Sequence, residues 1–566
     1  MEEVVDTSDM DIYPVWPVNV DSDNDPTIDD FDACAPPSGT SLGVIIEDVS
    51  DEDDKKWHTS KYPDEQGAGA PISAAPKRTL FHRIRDDQIL RGAEIWGPFA
   101  DKDEWEMAKW LIKNVGHKAT DEFLKLNMIT TKARPSFHNK EQFLKTIDGL
   151  PAGVPWKLET LTLRGDLQDS KGKARTEELE LWYRDPVECI RELLENPIFC
   201  DSMKYAPERI VLDRHREVEV INEMWTASWW WELQQILPPG ATICPIILSS
   251  DKTQLSQFRG DKSAWPVYLT IGNIAKGTRR EASSHATVLI GYLPVGKFDC
   301  YLDSAKQFAR YWVFHHCMNV VLTSVKEAGK TGIMMTCSDE HERWIWPIVA
   351  AYVADYPEQC LVACCKENRC PLCQVGRNER GDNNPCLPRD AGQTLDMIQQ
   401  HLSGISDTNF TKDWENSGIR GVPNPFWHDL PFSNIFEAFT PDLLHQLHKG
   451  VFKDHLIKWC TNLVGEDEID ERFKAMSGHP GLRHFKTGLS SISQWTGAEY
   501  KAMEQVFLAI MAEAKVDKRM VIAVRSTLDF IYFASLHSHT SHMLASLSHA
   551  LDELHRVKDV FIKTGE

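Results

Sequence analysis

The stretch CPIILSSDKTQLSQFRGDKSAWPVYLTIGNI, residues 244 to 274, decides the fold. Residues 245 to 248 are a short apolar run of the kind that forms a buried central strand, and two serines and Asp251 follow at once. A carboxylate is therefore delivered at the C-terminal edge of the predicted strand. Residues 265 to 271 read as a second strand after a polar turn containing Gly260, Asp261 and Ser263, and residues 286 to 293 as a third. Three consecutive strands with an acid on the first predict a mixed sheet that holds metal-binding carboxylates. An Asp at a strand end is by itself more often a cap or turn residue, so the weight falls on what accompanies it downstream.

Residues 304 to 327 read as one long helix, with Phe308, Tyr311, Trp312, His315 and Met318 on one stripe. A histidine in an aromatic stripe is more often a hydrogen-bonded core residue, so His315 and His316 are left out of the site. Residues 332 to 337 read as a fourth strand. Residues 345 to 353 form another apolar segment, weakened as a strand by Pro347, and it runs straight into Asp355-Tyr356-Pro357-Glu358. Asp355 thus repeats the placing of Asp251. Two carboxylates on neighbouring strand ends are what a two-metal phosphoryl-transfer site needs, with hard oxygen ligands for ions about 4 Å apart. Asp339 and Glu340 are rivals, but the charged run SDEHER that holds them reads as a solvated loop.

In CLVACCKENRCPLCQVG, residues 360 to 376, Cys370 and Cys373 set two thiolates on one tight turn, as tetrahedral zinc requires. No second C-x-x-C follows at ribbon spacing, so further ligands come from elsewhere, with Cys365, Cys386, His445 and His448 available. A redox dithiol is the alternative, disfavoured because no thioredoxin-like βαβ pattern surrounds the motif. TPDLLHQLHKGVFKDHLIKW, residues 440 to 459, reads as a helix with Thr440 as N-cap and Asp442 in its first turn. Asp442 is either a charge complementing the helix N-terminus or an acid pointing back at the sheet, with His445 one turn on toward the knuckle.

The chain has 566 residues, 42% hydrophobic and 10% aromatic, enough for two or more domains with a sizeable core. A formal net charge of -22 looks unsuited to a nucleic-acid partner, but residues 1 to 54 hold 17 Asp and Glu with no Lys or Arg. Removing that -17 leaves the body at -5. Residues 1 to 77 are expected to be a disordered acidic tail. It has no signal-peptide pattern, and no apolar run is long enough for a bilayer, so a soluble intracellular protein with no membrane partner is expected. Fourteen cysteines in so long a chain suit reduced thiols and a metal better than a disulfide framework. Residues 104 to 129 read as a pair of helices, and residues 178 to 199 as a helix interrupted near Asp185-Pro186. Residues 217 to 237 read as an amphipathic helix whose tryptophans 225, 229, 230 and 231 fill a core rather than stack on bases. Trp225 and Trp229 are expected on the sheet side. Beyond Pro480 only helices are predicted, over residues 497 to 514, 519 to 534 and about 543 to 562.

SSDKTQLSQFRGDKSAWPVYLTIGNI, VADYPEQCLVACCKENRCPLC and TPDLLHQLHKGVFKDH, in this order, resemble the transposases of the Plavaka group, CACTA-related DNA transposons of fungi. The likeness extends through EWEMAKWL and LWYRDPVECIRELL upstream and LRHFKTGLSSISQWTGAEYKAM and AVRSTLDFIYFASL downstream, roughly residues 80 to 566. It implies an α+β fold with an RNase H-like mixed-sheet catalytic core and zinc-knuckle insertion over residues 241 to 460. A mainly helical region, 78 to 240, would precede that core, and an all-helical region, 461 to 566, would follow. The implied activity is metal-dependent DNA strand cleavage and strand transfer in the nucleus, on transposon ends and target DNA, with Mg²⁺ or Mn²⁺ on a DD(E/D) acid set.

Residue by residue, Asp251 matches the first acid, Asp355 the second, and Cys370 and Cys373 the C-x-x-C insertion. His445 matches the histidine of the Asp-x-x-His motif, and Asp442 is the acid of that motif and the candidate third catalytic acid. The expected metal sets are Asp251, Asp355 and Asp442 for Mg²⁺ or Mn²⁺, and Cys365, Cys370, Cys373 and His445 for Zn²⁺. Self-association is left open. Two departures stand out: residues 1 to 77 hold one cysteine, Cys34, and one histidine, His58, where the family commonly has a zinc finger, and the family's sequence continues past Glu566. A truncated copy is therefore an expectation, with the third acid either Asp442 or beyond the chain. The competing reading is a catalytically inactive, transposase-derived DNA-binding or protein-interaction protein. A generic zinc hydrolase is disfavoured because no H-E-x-x-H is present.

Overall fold

The computed structural model describes residues 58–63, 67–212, 218–255, 263–404, 408–479, 482–490, 492, 495–512 and 514–564. Its first strands in chain order are β1 (His58–Lys61), β2 (Lys157–Gln168), β3 (Ala174–Tyr183), β4 (Glu208–Val211), β5 (Glu219–Ile221) and β6 (Ala241–Ser250). They are followed by β7 (Thr253–Gln254), β8 (Ser263–Ala264), β9 (Pro266–Ile271), β10 (Val288–Tyr292), β11 (Ile333–Thr336), β12 (Glu342–Val353) and β13 (His539–Thr540). Seven form one sheet in the order β11-β12-β6-β9-β10-β3-β2. Only β12 and β6 are parallel, and the other neighbours are antiparallel, so the fold is mixed α+β.

β6 runs through the middle of this sheet, buried on both faces, which is why its sequence shows no polar alternation. Ile246 and Leu248 face the main core, while Ile243 joins Trp225, Trp230 and Trp346 on the other side. β12 accommodates Pro347 because β11 pairs with it only as far as Ile345. The Pro347 carbonyl lies against Gly329 of the Thr323–Thr331 helix rather than in a ladder, and the N–H that proline lacks would have pointed to that same edge.

Several local expectations are corrected. Residues 178 to 199 are not an interrupted helix: β3 ends at Tyr183, and a helix begins at Pro186 (Pro186–Glu195). Leu179 and Leu181 are buried between exposed Glu178, Glu180 and Trp182, a period of two that marks a strand. The Asp185-Pro186 pair starts the helix, with the Asp185 carboxylate accepting the Val187 N–H at 3.1 Å and proline in the first turn. The β2–β3 hairpin completes the large sheet, so the region from 78 to 240, expected to be mainly helical, supplies two of its seven strands. Residues 218 to 237 comprise β5, a short 3₁₀ turn and the Ser228–Ile236 helix; Trp225 and Trp230 are buried, and Trp229 is partly buried against the same cluster. The single helix expected over 304 to 327 is two, Asp303–Val321 and Thr323–Thr331. His315 is buried there, its Nε2 3.0 Å from the Leu361 carbonyl and its Nδ1 accepting the Phe426 N–H at 3.3 Å.

The tail expectation reaches too far. Residues 1 to 57 and 64 to 66 lie outside the described residues, but β1 pairs with β4, and the Ile72 N–H bonds the Glu342 carbonyl at 2.9 Å. After the large sheet the regular elements among the described residues are helices, apart from the two-residue strand β13. Helices Gly497–Ala512, Lys518–Ala534 and Ser541–Val557 follow a core built on Phe452, Phe473 and Phe507. No helix of the described residues is long and apolar enough to cross a membrane.

Because Ile246 is fully buried in the central strand, Ile246→Ala should cost about 2–5 kcal/mol. Leu158→Ala on the half-exposed outermost strand should cost less than about 1 kcal/mol. Urea-denaturation midpoints of the two variants test the ranking.

Candidate active site

The parallel register of β6 and β12 pairs Ser249 with Val353. Asp251 and Asp355 each stand two residues beyond that pair, at the same level of adjacent strands. Asp251 is exposed and Asp355 is partly buried. The Asp355 carboxylate caps the short Tyr356–Val362 helix, accepting the Glu358 N–H at 2.9 Å. Burial raises the Asp355 pKa, the Glu358 N–H pulls it back, and the negative charges of Asp251 and Asp442 add to the rise.

The segment before Asp442 arrives at the free side of β12. Phe439 forms an isolated parallel bridge with Tyr352, and the Thr440 N–H reaches the Tyr352 carbonyl at 3.3 Å. Asp442, rather than Thr440, is the N-cap of the next helix, Leu443–Ile457, which has π-type pairing. Its carboxylate accepts the His445 backbone N–H at 3.0 Å and lies 2.6 Å from His445 Nδ1. Burial pushes the Asp442 pKa up, but the two His445 bonds outweigh it and leave the group below its ordinary value. The His445 pKa is raised, first by the Asp442 bond and further by the charge of Asp355. Asp251, Asp355, Asp442 and His445 thus form one electrostatic neighbourhood at the C-terminal end of β6 and β12.

Beneath it lies a polar layer that sequence reasoning did not assign. Ser250 Oγ is 2.7 Å from the Tyr352 hydroxyl and also donates to Glu358 Oε1, which accepts the Trp265 indole N–H at 3.1 Å as well. Ser250, Tyr352 and Glu358 are all buried. Burial pushes Glu358 up to about 7 against the pull of its Ser250 and Trp265 donors. Gln359, also buried, donates from Nε2 to the Ala354 carbonyl at 2.8 Å and the Thr440 carbonyl at 2.9 Å. The signal available in the sequence was the run Asp355 to Gln359 itself, two polar residues directly after a proline helix start.

The thiols are distributed differently from the expected zinc set. Cys370 Sγ accepts the Leu372 N–H at 3.4 Å, and the turn that holds Cys370 and Cys373 is tied by a bridge between Cys373 and Pro388. Cys365 instead hydrogen-bonds the Cys360 thiol, and His445 is engaged by Asp442. His448 faces Glu504 at 2.7 Å, and Cys386 is exposed. Cys365 and His445 thus have partners other than Cys370 and Cys373. The rivals Asp339 and Glu340 sit in the tight β11–β12 connection, where Arg343 holds the Asp339 carboxylate with two bonds of 2.7 and 2.6 Å. Among the described residues no three His, Cys, Asp or Glu side chains are grouped closely enough to hold a metal ion. The three acids carry the hard oxygen donors a divalent cation takes, and burial is the largest cause of the raised Asp355 pKa, with the Asp251 and Asp442 charges adding less.

In comparisons with known proteins, the family model described as Plavaka transposase matches residues 137–460, more than half of the chain. The match spans every strand of the large sheet, the Cys370–Cys373 turn, the three acids and His445. No curated protein matches.

The Asp442–His445 pair carries its own pH window. The Asp442 contribution to stability is present above the ordinary Asp pKa and is lost as pH falls through its lowered folded value. The His445 contribution is complete below the ordinary His pKa and is lost as pH rises through its raised folded value. The pair is therefore at full strength between about pH 4 and about pH 6.5. In proton NMR, with His445→Gln to assign the resonance, His445 should titrate above the ordinary range, and Asp442→Asn should bring it down.

Proposed function

Because this chain belongs to the Plavaka transposase family, we propose that it is a metal-dependent polynucleotidyl transferase that cleaves and joins DNA strands in transposition. The proposed acids are Asp251, Asp355 and Asp442. The observation that supports this reading is the parallel register of β6 and β12, which levels Asp251 with Asp355, and the Phe439 bridge to β12 three residues before Asp442. The order β10-β9-β6-β12, with Phe439 running parallel beside β12, supports an RNase H-like core. Asp251 lies on the exposed side, where a DNA phosphate would approach, and Asp355 and Asp442 are the more enclosed pair. His445 keeps Asp442 ionised and holds it against the helix start. Mg²⁺ or Mn²⁺, when bound by these acids, would neutralise charge on the reacting phosphate and favour an oxygen nucleophile. DNA is the proposed partner, and the nucleus the proposed location. Cys370 and Cys373 are proposed as two ligands of a structural zinc.

The absence of a closed metal-binding group among the described residues favours a second reading, a transposase-derived protein that binds DNA or other subunits without cutting.

One assay separates the two. With Mn²⁺ and DNA carrying the element's terminal sequences, the wild type should cleave, and Asp251→Asn, Asp355→Asn and Asp442→Asn should each fall to about one-hundredth or less of its rate, as loss of several kcal/mol of charge stabilisation requires. A wild type that cleaves nothing favours the second reading, and an Asp442→Asn variant of normal rate removes Asp442 from the acid set. Metal analysis of the purified chain should find about one bound zinc, and Cys370→Ser should release it and lower the thermal midpoint.

A further inference from the structure

The three acids come from three separate chain segments, so their spacing depends on whatever ties those segments together. Two consecutive side chains do so. Glu358 reaches toward the Asp251 side: its Oε1 takes the hydroxyl of Ser250, the residue immediately before Asp251, and the indole N–H of Trp265, whose ring stacks on Phe314 at 5.2 Å. Gln359 reaches toward the Asp442 side: its Nε2 gives one bond to Ala354, the residue immediately before Asp355, and one to Thr440, two residues before Asp442. Both side chains are buried, and both stem from the helix turn that Asp355 caps. Tyr352, the residue that pairs with Phe439, also bonds Ser250 and so closes the layer between the two sides.

We infer that Glu358 and Gln359 are paired positioning residues that set the spacing of Asp251, Asp355 and Asp442, Glu358 acting only as a hydrogen-bond acceptor and Gln359 only as a donor. The inference rests on the metal-binding reading of the three acids. It assigns Glu358 no place among the ligands, although it is a carboxylate only three residues from Asp355. Its chemistry predicts an asymmetry. Glutamine at 358 keeps an acceptor oxygen for Ser250 and Trp265, whereas glutamate at 359 turns a carboxylate toward two carbonyl oxygens.

The test is Mn²⁺ binding to the full chain, followed by electron paramagnetic resonance of the free ion, with the thermal midpoint recorded for every variant. Glu358→Gln should bind Mn²⁺ within about threefold of wild type, since its contacts survive. Glu358→Leu and Gln359→Glu should each lose about 10–100-fold in affinity, the usual cost of removing a group that orients a metal ligand. Should Glu358→Leu not fold, Ser250→Ala removes only the bridging hydroxyl and takes its place, and Gln359→Met does the same for Gln359→Glu. Loss of Mn²⁺ by Glu358→Gln as complete as that of Asp251→Asn would make Glu358 a ligand and overturn the assignment. Wild-type affinity in both folded Glu358→Leu and Gln359→Glu would reduce the pair to packing and overturn it too. A wild type that binds no Mn²⁺ would instead defeat the metal reading, and this inference with it.

Discussion

The parallel pairing of β6 with β12 is the constraint from which the site follows. Neighbouring strands lie about 4.8 Å apart, and with Ser249 opposite Val353 the two chains leave the sheet together, each ending in an aspartate two residues later. A one-residue slip would turn every side chain of a strand to the opposite face, and here both faces of β6 are packed, by the main core on one side and the tryptophan cluster on the other. The apolar packing that stabilises the sheet is thus also what levels Asp251 with Asp355. The Phe439 segment then needs only one bridge to β12 to bring Asp442 alongside.

Carboxylates within electrostatic reach of one another raise free energy, and the surroundings here treat them unevenly. Burial and two like charges push Asp355 up, while His445 holds Asp442 down, so neighbouring acids are driven apart in pKa by different environments. Below them, burying Ser250, Tyr352, Glu358 and Gln359 would be unfavourable if their polar atoms lacked partners. Their bonds to one another and to backbone carbonyls make the layer a source of order rather than a weakness.

Much of this region is legible in local pattern. The apolar runs at 245 to 248 and 265 to 271 lie in strands β6 and β9, and the acids that follow β6 and β12 stand out because a carboxylate directly after a buried run has to emerge at the end of the sheet. Local pattern misleads where two periodicities compete. In β3, glutamates alternate with leucines at period two, yet both residue types favour helices in isolation, and the helical propensity masks the strand. At Asp185-Pro186 a helix start looks like a helix break, since proline marks both and only the neighbouring strand tells them apart. Trp230 is buried more deeply than Trp229, although both pack on the cluster that holds Ala241 and Ile243 of β6.

Short-range chemistry is therefore open to reading from the residues alone: which segments are apolar, where an acid follows a strand, and that Cys370 and Cys373 share a turn. The choice of partners is not. Ser250 meets Glu358 across 108 residues, and Gln359 meets Thr440 across 81. His445 is held by Asp442 rather than by the thiols, and Cys365 by Cys360. The Ser250–Glu358 and Gln359–Thr440 pairings join segments far apart in the chain, which no local pattern specifies. They exist because the parallel register and the Phe439 bridge bring distant segments to one sheet end, where each buried polar group must find a partner within reach.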